Sequence, residues 1–339
     1  MTLATATRER TTTWMVALAL GIVYVVWGST YLAIRLMVED MPPFASAGSR
    51  YLAATAIMAA LLSLKSGWRT LAITRAEFAG CALLGVLLPA GGNGLVTVAE
   101  RHGAPSGIAA LLVAAVPLWV VCYRFAAGDR PSRRTLSGVL LGFAGLAYLI
   151  ASTGFGGHVK VTACLIIVVA TLCWSFGSWF QARLALPSDP FVTTTYEMLT
   201  GGAVLLAGGL VGGERISVHS YTGSSWLAWG YLVTFGTVIA FSAYVWVLSN
   251  APISLVATYA YVNPVVAVFL GWLIVSEPLT WPILIGGAVV VGAVAIVVGS
   301  ERPASVSGQN TAGRSGQRLQ PGPMQVGEPP LAGRDERLR

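Results

Sequence analysis

The chain has 339 residues, of which 55% are hydrophobic and only 10% are charged, and its formal net charge is +7. A soluble domain carries about 25% charged residues, so this composition excludes an ordinary soluble protein and favours an all-α integral membrane protein. The positive charge does not indicate a nucleic-acid-binding protein, because the arginines lie in short connections and in the C-terminal segment rather than on one basic face.

Ten apolar runs are long enough to be transmembrane helices, since a bilayer core of about 30 Å needs about 20 helical residues. Residues 1–13 are predicted to be a cytoplasmic N-terminus. Residues 300–339, rich in Gly, Pro, Gln and Arg, are predicted to be a disordered cytoplasmic tail. The predicted spans 1 to 10 are 14–37, 44–64, 76–99, 104–126, 132–152, 160–184, 191–212, 224–248, 251–273 and 280–299.

The ten spans form two repeats, 14–152 and 160–299, whose matching residues lie 147 positions apart. Each repeat holds five spans. Because five is odd, the second repeat must enter the membrane from the opposite side, which makes this an inverted-topology repeat of the kind found in many secondary transporters. The matching pairs are Trp27 and Trp174, Pro105 and Pro252, Pro117 and Pro264, Pro131 and Pro278, and Gly145 and Gly292.

The distribution of Lys and Arg predicts a multi-pass protein of the cell membrane, inner or plasma, with both termini in the cytoplasm. Connections on the cytoplasmic side of the membrane carry an excess of basic residues. With the N-terminus inside, most basic residues fall on the inner side. The outer segments then hold only Arg35, Arg101, Lys160 and Arg215.

Four motifs in these spans resemble the EamA family of the drug/metabolite transporter superfamily and, within it, the YedA-like exporters of bacterial inner membranes. The resemblance covers about residues 14–299. It implies ten helices arranged as two EamA repeats, and export of amino acids, metabolites or drugs. The motifs are Trp27-Gly28-Ser29-Thr30-Tyr31, Arg50-Tyr51-Leu52-Ala53-Ala54, Gly92 to Glu100 followed by Pro105 to Ala110, and Tyr259-Ala260-Tyr261-Val262-Asn263-Pro264.

Arg50 and Glu197 are ionisable residues inside predicted spans, and they are repeat counterparts. A charge in hydrocarbon costs at least about 2.5–3.5 kcal/mol, so it normally faces inward and is functional. The alternative is a charge satisfied by backbone carbonyls or water, with no role in transport. Glu197 is the better candidate proton carrier because arginine does not release its proton. Arg50 could hold an anionic group or neutralise a carboxylate.

The two charges are predicted to lie at mirrored depths rather than to form a direct ion pair. Arg50 is about six residues from the outer end of span 2, and Glu197 is about six from the inner end of span 7. Six residues correspond to about 9 Å. A core of about 30 Å then leaves roughly 12 Å between the two side chains along the membrane normal.

Other polar and aromatic residues at span depth are candidates for lining a ligand cavity, because a few such groups fix ligands in otherwise apolar pockets. For any single aromatic, packing or interface anchoring is the alternative. Pro117 and Pro264 are predicted hinges or kinks, since proline removes one helical hydrogen bond. The candidate lining residues are Trp27, Thr30, Tyr31, Asn93, Trp174, Tyr196, Tyr259, Tyr261 and Asn263.

Enzymatic and nucleotide-binding motifs are missing from the sequence, so no enzyme activity, cofactor or metal is predicted. There is no Gly-x-x-x-x-Gly-Lys loop for ATP, no His-Glu-x-x-His zinc helix and no Gly-x-Ser-x-Gly turn. The expected partners are a small-molecule substrate and membrane lipids, with no nucleic acid; association with further copies of the chain is left open. The residues taken as loop or core groups without chemistry are His102, His158, His219, Cys81, Cys122, Cys164 and Cys173.

These observations favour a secondary exporter that works by alternating access, driven by an ion gradient or by the gradient of its own substrate. Two alternatives remain open at this point. A membrane-embedded enzyme acting on lipid-linked substrates would need clustered acids, bases or metal ligands near one interface. A non-transporting sensor or scaffold would use its C-terminal tail as the working part.

We predict that a membrane-impermeant thiol reagent applied outside the cell labels a cysteine placed at His158 or His219, but not one at Ser132 or in residues 301–339. The reason is the excess of basic residues on the predicted inner side. Labelling of the tail from outside intact cells would show that the assigned orientation is reversed.

Overall fold

The computed structural model describes residues 2–154, 160–251, 253–256 and 258–300, and within these ranges the chain is helical without any β-strand. Ten helical segments follow one another. They are α1 Thr2–Met37, α2 Pro43–Ser66, α3 Arg75–Arg101, α4 Ser106–Ala126, α5 Arg133–Gly154, α6 Val161–Arg183, α7 Pro190–Val211, α8 Gly223–Tyr231 continued by Leu232–Ile239 and Ala240–Asn250, α9 Ile253–Val256 with Tyr259–Val275, and α10 Trp281–Ser300.

The predicted fold class, an all-α membrane protein with ten helices, is confirmed. Eight segments are long and apolar enough to cross a membrane. The other two are α7, whose 22 residues include several Thr and Gly, and α9, whose apolar part Tyr259–Val275 is shorter. Residues 301–339 of the predicted tail and His158 lie outside the described ranges.

The second repeat runs through the bundle in the opposite direction to the first, as contacts along α3 show. The C-terminal end of α1 meets the C-terminal end of α3, where Arg35 Nη1 donates to the Glu100 carbonyl at 3.3 Å. The chain just after α6 instead meets the first turns of α3, where Gly80 packs directly on the Ala185 carbonyl. Because α1 and α6 end at opposite ends of α3, these counterpart helices are antiparallel.

Counterpart helices also pair with each other, as expected for two repeats related by a two-fold axis. Helix α2 packs against α7, and α5 packs against α10. At the first contact a Cβ on Gly48 would lie 2.6 Å from the Leu206 nitrogen and 2.8 Å from the Gly202 carbonyl oxygen. These backbones therefore approach so closely that only glycine fits at position 48, as is common where membrane helices pack.

Helices α3 and α8, which are repeat counterparts, both contain a π-helical segment in the middle. It spans Val86–Gly94 in α3 and Leu232–Ile239 in α8. A π-helical turn leaves the regular i to i−4 pattern and occurs often at functional sites. Its appearance at matching places in both repeats indicates that it belongs to the architecture and is not a local irregularity.

Pro117 and Pro264 occupy different settings, although the sequence places them in equivalent positions. Helix α4 is interrupted at Ala114 and Ala115, and Pro117 lies in the first turn of its second part. A proline there costs little, because its missing N–H would have no helical acceptor. Pro264 instead lies inside a continuous helix, so of the two prolines only Pro117 adjoins a break in its helix; the hinge role of both stays a prediction.

We predict that Gly48→Ala lowers the stability of the purified protein by about 1–3 kcal/mol, the usual cost of inserting atoms into a full space. The measurement is the melting temperature of the protein in detergent. Gly21→Ala is the matched control, because a Cβ on Gly21 meets nothing within 4 Å. An equal melting temperature for both variants would contradict the close α2–α7 contact.

Candidate functional site

Three carboxylates tie the two repeats together at one end of the bundle, which we call the clasped end. Each side chain belongs to one repeat and binds the N-terminal end of a helix in the other repeat. Asp40 binds α8, Glu214 binds α2 and Glu277 binds α4. We call these three contacts the clasps.

Glu214 and Glu277 each accept two backbone N–H groups from a helix that has no cap of its own. Glu214 accepts from Phe44 at 3.0 Å and from Ala45 at 2.7 Å. Glu277 accepts from Ser106 at 2.7 Å and from Gly107 at 3.0 Å. The first N–H groups of a helix have no internal acceptor and carry partial positive charge. An ionised carboxylate therefore satisfies them and is stabilised there.

Asp40 makes the third clasp by binding the first residues of α8. It accepts the Thr222 N–H at 3.1 Å, the Thr222 hydroxyl, and the Ser225 hydroxyl at 3.0 Å. Hydrogen bonds from the Thr222 side chain and then from its backbone lower the pKa of Asp40 below its usual value. The lowered pKa means that this clasp persists to lower pH than a contact made by an ordinary aspartate.

The opposite end of the bundle is joined by uncharged groups and capped locally. The Tyr196 hydroxyl donates to the Leu71 carbonyl at 2.6 Å, which ties α7 to the turn after α2. Helix α7 begins with its own cap, Asp189, which accepts the Phe191 N–H at 2.8 Å. Helix α3 begins with a capping box between Thr74 and Glu77. Helices α3 and α7 are therefore capped without a carboxylate from the other repeat.

Arg50 is buried in α2 and binds the neighbouring tyrosine. Its Nη2 donates to the Tyr51 hydroxyl at 2.9 Å, and its guanidinium carbon lies 4.6 Å from the centre of the Tyr51 ring. Its Nε is buried without a hydrogen-bond partner among the described residues. No ion pair joins Arg50 to Glu197 in the described part of the chain.

Glu197 lies seven residues into α7, on the half of the bundle away from the clasped end. Its side chain is half-buried, and it is within electrostatic range of Cys81 in the first part of α3. The Glu197 carbonyl lies against Gly85. Arg50 lies seven residues into α2, which starts at the clasped end, so the two residues stand in opposite halves of the bundle.

Glu100, which is missing from the predicted site, is a fully buried carboxyl near the clasped end. It is 0% exposed, and neither side-chain oxygen has a hydrogen-bond partner among the described residues. Arg35, Arg50 and Glu277 lie within electrostatic range of it. A buried polar group without a partner is rare and needs an explanation. This residue is therefore the most unusual ionisable group that the structure describes.

An aromatic cluster lies next to the middle of α8 and brings together two predicted residues, Trp27 and Tyr259. Their ring centres are 5.4 Å apart, and Tyr244 completes the cluster at 5.0 Å from Trp27 and 5.7 Å from Tyr259. The Trp27 indole donates to the Gly236 carbonyl, in the π-helical segment of α8, at 3.1 Å. The cluster thus joins α1, α8 and α9 across the repeat boundary.

The counterpart of Trp27 also meets a π-helical segment of the other repeat, by packing. Trp174 packs on Gly92 in the π-helical segment of α3, where an added Cβ would lie 2.6 Å from the indole ring. Asn93 lies in the same segment, and its carbonyl accepts the Thr97 hydroxyl at 2.8 Å. Each tryptophan therefore faces a π-helical segment of the opposite repeat.

The remaining predicted residues fall into different surroundings. Tyr31 packs against the main apolar core and is within electrostatic range of Glu100. Tyr261 packs against the same core. Asn263 is buried with its side-chain oxygen unpartnered among the described residues. Thr30 donates to its own helix at the Trp27 carbonyl. Six of the eleven predicted residues therefore lie on α1 and α9. Asn93 and Trp174 lie at the π-helical segment of α3, Arg50 lies on α2, and Tyr196 and Glu197 lie in the half of the bundle away from the clasped end.

The sequence contained only a weak signal for the residues that the prediction missed. Predicted span 3 stopped at residue 99, and α3 continues to Arg101, which brings Glu100 inside the helix. The clasps join residues about 170 to 185 positions apart, which no local pattern indicates. No group of three or more His, Cys, Asp or Glu side chains suited to a metal occurs among the described residues.

Comparison with known proteins places this architecture among membrane transporters. The EamA-like transporter family matches residues 13–151 and 161–299. The Escherichia coli (strain K12) protein named "Uncharacterized inner membrane transporter YedA" is 38% identical over 279 residues, which cover 82% of this chain and 89% of that protein. A second Escherichia coli (strain K12) protein, named "Probable amino-acid metabolite efflux pump", is 24% identical over a region that covers 82% of this chain and 91% of that protein.

A solved crystal structure has the same fold. It aligns with a TM-score of 0.58 at 22% sequence identity, over 83% of this chain and 96% of its own. At this identity the match supports the arrangement of the helices and carries no information on the substrate.

We predict that Glu277→Gln exposes the interior at the clasped end. In a variant without native cysteines, Ala104→Cys should react with a maleimide at least about tenfold faster once Glu277 is neutralised. Losing a charge-assisted bond costs about 1.5–3 kcal/mol, and about 1.4 kcal/mol is tenfold. Ala104 is 0% exposed.

The matched control is Glu39→Gln, which removes a charge at the same end, from an exposed carboxylate that is not one of the clasps. Equal acceleration by both variants would show that overall charge, and not the clasp, controls access to Ala104.

Proposed function

This chain belongs to the EamA-like transporter family and is a multi-pass membrane transporter, and we propose that it is a secondary exporter of small metabolites, amino acids or drugs. It works by alternating access and is coupled to protons. In this proposal both termini are cytoplasmic, and the clasped end faces the outside, because the basic residues concentrate at the other side.

The observation that carries the proposal is the unequal joining of two inverted repeats. Inverted repeats allow one bundle to adopt two mirror-related arrangements around a central site. Here the repeats are joined by three charged clasps at one end and by the uncharged contact of Tyr196 at the other. This is what we expect of a transporter closed on one side and able to open on the other.

The substrate pathway in this proposal runs between the clasped end and the half of the bundle that holds Glu197. The aromatic cluster of Trp27, Tyr244 and Tyr259 lies beside it and offers apolar ring faces. Aromatic walls with a few polar groups suit small organic molecules. Arg50 has an unpartnered Nε, which suits an anionic group of the substrate.

Glu197 serves in this proposal as the proton carrier of the cytoplasmic half. Its side chain is half-buried, and none of the described hydrogen bonds involves its carboxyl oxygens. A carboxyl without a fixed partner can accept or release a proton without breaking another contact. Arg50 and Glu197 then act as two separate stations, one in each half of the bundle.

The experiment that tests the function is transport by the purified full-length protein in liposomes, against a panel of amino acids, metabolites and drugs, with and without a pH gradient. At least one compound should move faster with the gradient than without it. Liposomes that move no compound of the panel would contradict the exporter proposal. Removal of residues 301–339 should leave transport intact, whereas a sensor or scaffold would depend on them.

We predict that Glu197→Gln abolishes the acceleration by the pH gradient and leaves folded protein, because the amide cannot carry a proton. Arg50→Ala should instead lower the initial rate of substrate transport by about tenfold or more, because a charged hydrogen bond contributes about 1.5–3 kcal/mol. Initial transport rates in the same liposomes measure both effects. Unchanged pH dependence in Glu197→Gln would remove the proton role of this residue.

A further inference from the structure

A fully buried carboxyl sits beneath the clasps and takes no part in the roles described so far. Glu100 is 0% exposed, and both of its oxygens lack a hydrogen-bond partner within the described part of the chain. An ionised carboxylate transferred out of water costs several kcal/mol unless it is paired and hydrogen-bonded. The geometry around Glu100 therefore calls for something that binds its oxygens.

The charged neighbours of Glu100 do not supply that partner. Arg35 on α1 donates to the carbonyl of Glu100 and not to its carboxyl. Arg50 on α2 donates to Tyr51. Glu277, after α9, is a second carboxyl within electrostatic range, and Tyr31 on α1 is the remaining ionisable neighbour.

The other helices packed around this part of α3 add no acidic or basic side chain. The first part of α4, Ser106–Val113, and the α6 segment Val161–Phe180 contain none. The charged neighbours of Glu100 are therefore two arginines, neither of which hydrogen-bonds to its carboxyl oxygens, and one further carboxyl.

Glu277 already has a hydrogen-bond donor for each of its two carboxyl oxygens. Both of its oxygens accept N–H groups at the N-terminus of α4, where a negative charge is favoured. Two carboxylates close together in a medium of low dielectric resist being ionised at the same time. As long as the clasp holds Glu277 in place, Glu100 is the carboxyl of these two that must bind a positive ion or a proton.

We propose that Glu100 is a proton-binding site, which exchanges its proton with the outside only when the Glu277 clasp opens. One carboxyl is sufficient for a proton, whereas cations such as Ca²⁺ require six or more oxygen ligands. The step is a simple transfer. A proton leaves hydronium at the opened outer face and forms an O–H bond on the carboxylate, and the reverse occurs on release.

The site rests on the proposed function for its role in coupling, because it adds an outer station to the inner one at Glu197. Both stations border the same helix. Gly85 contacts the Glu197 carbonyl, and fifteen residues of α3 separate Gly85 from Glu100. The two residues therefore border opposite ends of α3, so a proton could be taken up at one end and released at the other in different states of the transporter.

The test is infrared spectroscopy of the full-length protein in liposomes, with the protonated carboxyl C=O band as the signal and bulk pH as the variable. The wild type should show a band that persists when the bulk pH is raised. Glu100→Gln should lose this band, and the matched control Glu197→Gln should keep it. In Glu277→Gln the band should begin to follow the bulk pH.

A band of equal size in Glu100→Gln and the wild type would overturn the proposal. A band that ignores bulk pH in Glu277→Gln would overturn the link to the clasp. If Glu100→Gln gives no folded protein, Glu100→Asp replaces it, and an unshifted band then overturns the assignment. The measurement needs no substrate, so a failure of the transport assay and a failure at Glu100 are distinguishable.

Discussion

Ionised carboxylates at the N-termini of helices hold the two repeats together at one end of this bundle, and the need for them arises from the sequence at those termini. Helix α2 is preceded by Pro42, and α4 by Pro105; neither has a side chain that can cap a helix. Exposed N–H groups at membrane depth are costly unless they are satisfied inside the protein. The acceptors come from Glu214 and Glu277, which belong to the other repeat.

The two repeats are similar in fold and different in how their helices begin, and this difference makes the ends of the bundle unequal. The counterpart of Pro42 is Asp189, which caps α7 within its own chain segment. Thus α7 is complete without the other repeat, whereas α2 is not. Two repeats of the same fold are therefore joined more firmly at one end of the bundle than at the other, through a few contacts between carboxylates and helix N-termini.

Much of the fold could be predicted from the sequence, because helix length and hydropathy are set by the bilayer. The predicted span 14–37 matches the apolar part of α1, Trp14–Met37. The inverted arrangement also followed, since five helices per repeat allow no other. The π-helical segments Val86–Gly94 and Leu232–Ile239 could not be predicted, because their hydrophobic pattern over so few residues does not differ from that of an α-helix.

The candidate site was less accessible to sequence reasoning, because it depends on contacts between distant residues. Arg50 and Glu197 stood out as charges within apolar runs, which is a local property. Glu100 directly follows an apolar run, and α3 continues two residues beyond the predicted span, so that Glu100 lies inside the helix and is buried. Burial of this kind is decided by tertiary packing at helix ends, where sequence-based boundaries are least reliable.

The central claim is that the clasps close one end and that the two ends move in opposite senses. Distances between spin labels test it directly, with one pair at Glu39 and Val211 near the clasped end and another at Leu64 and Arg183 near the opposite end, all on exposed residues. Neutralising Glu214 and Glu277 should lengthen the first distance and shorten the second. Two distances that lengthen together, or that both stay unchanged, would contradict alternating access controlled by the clasps.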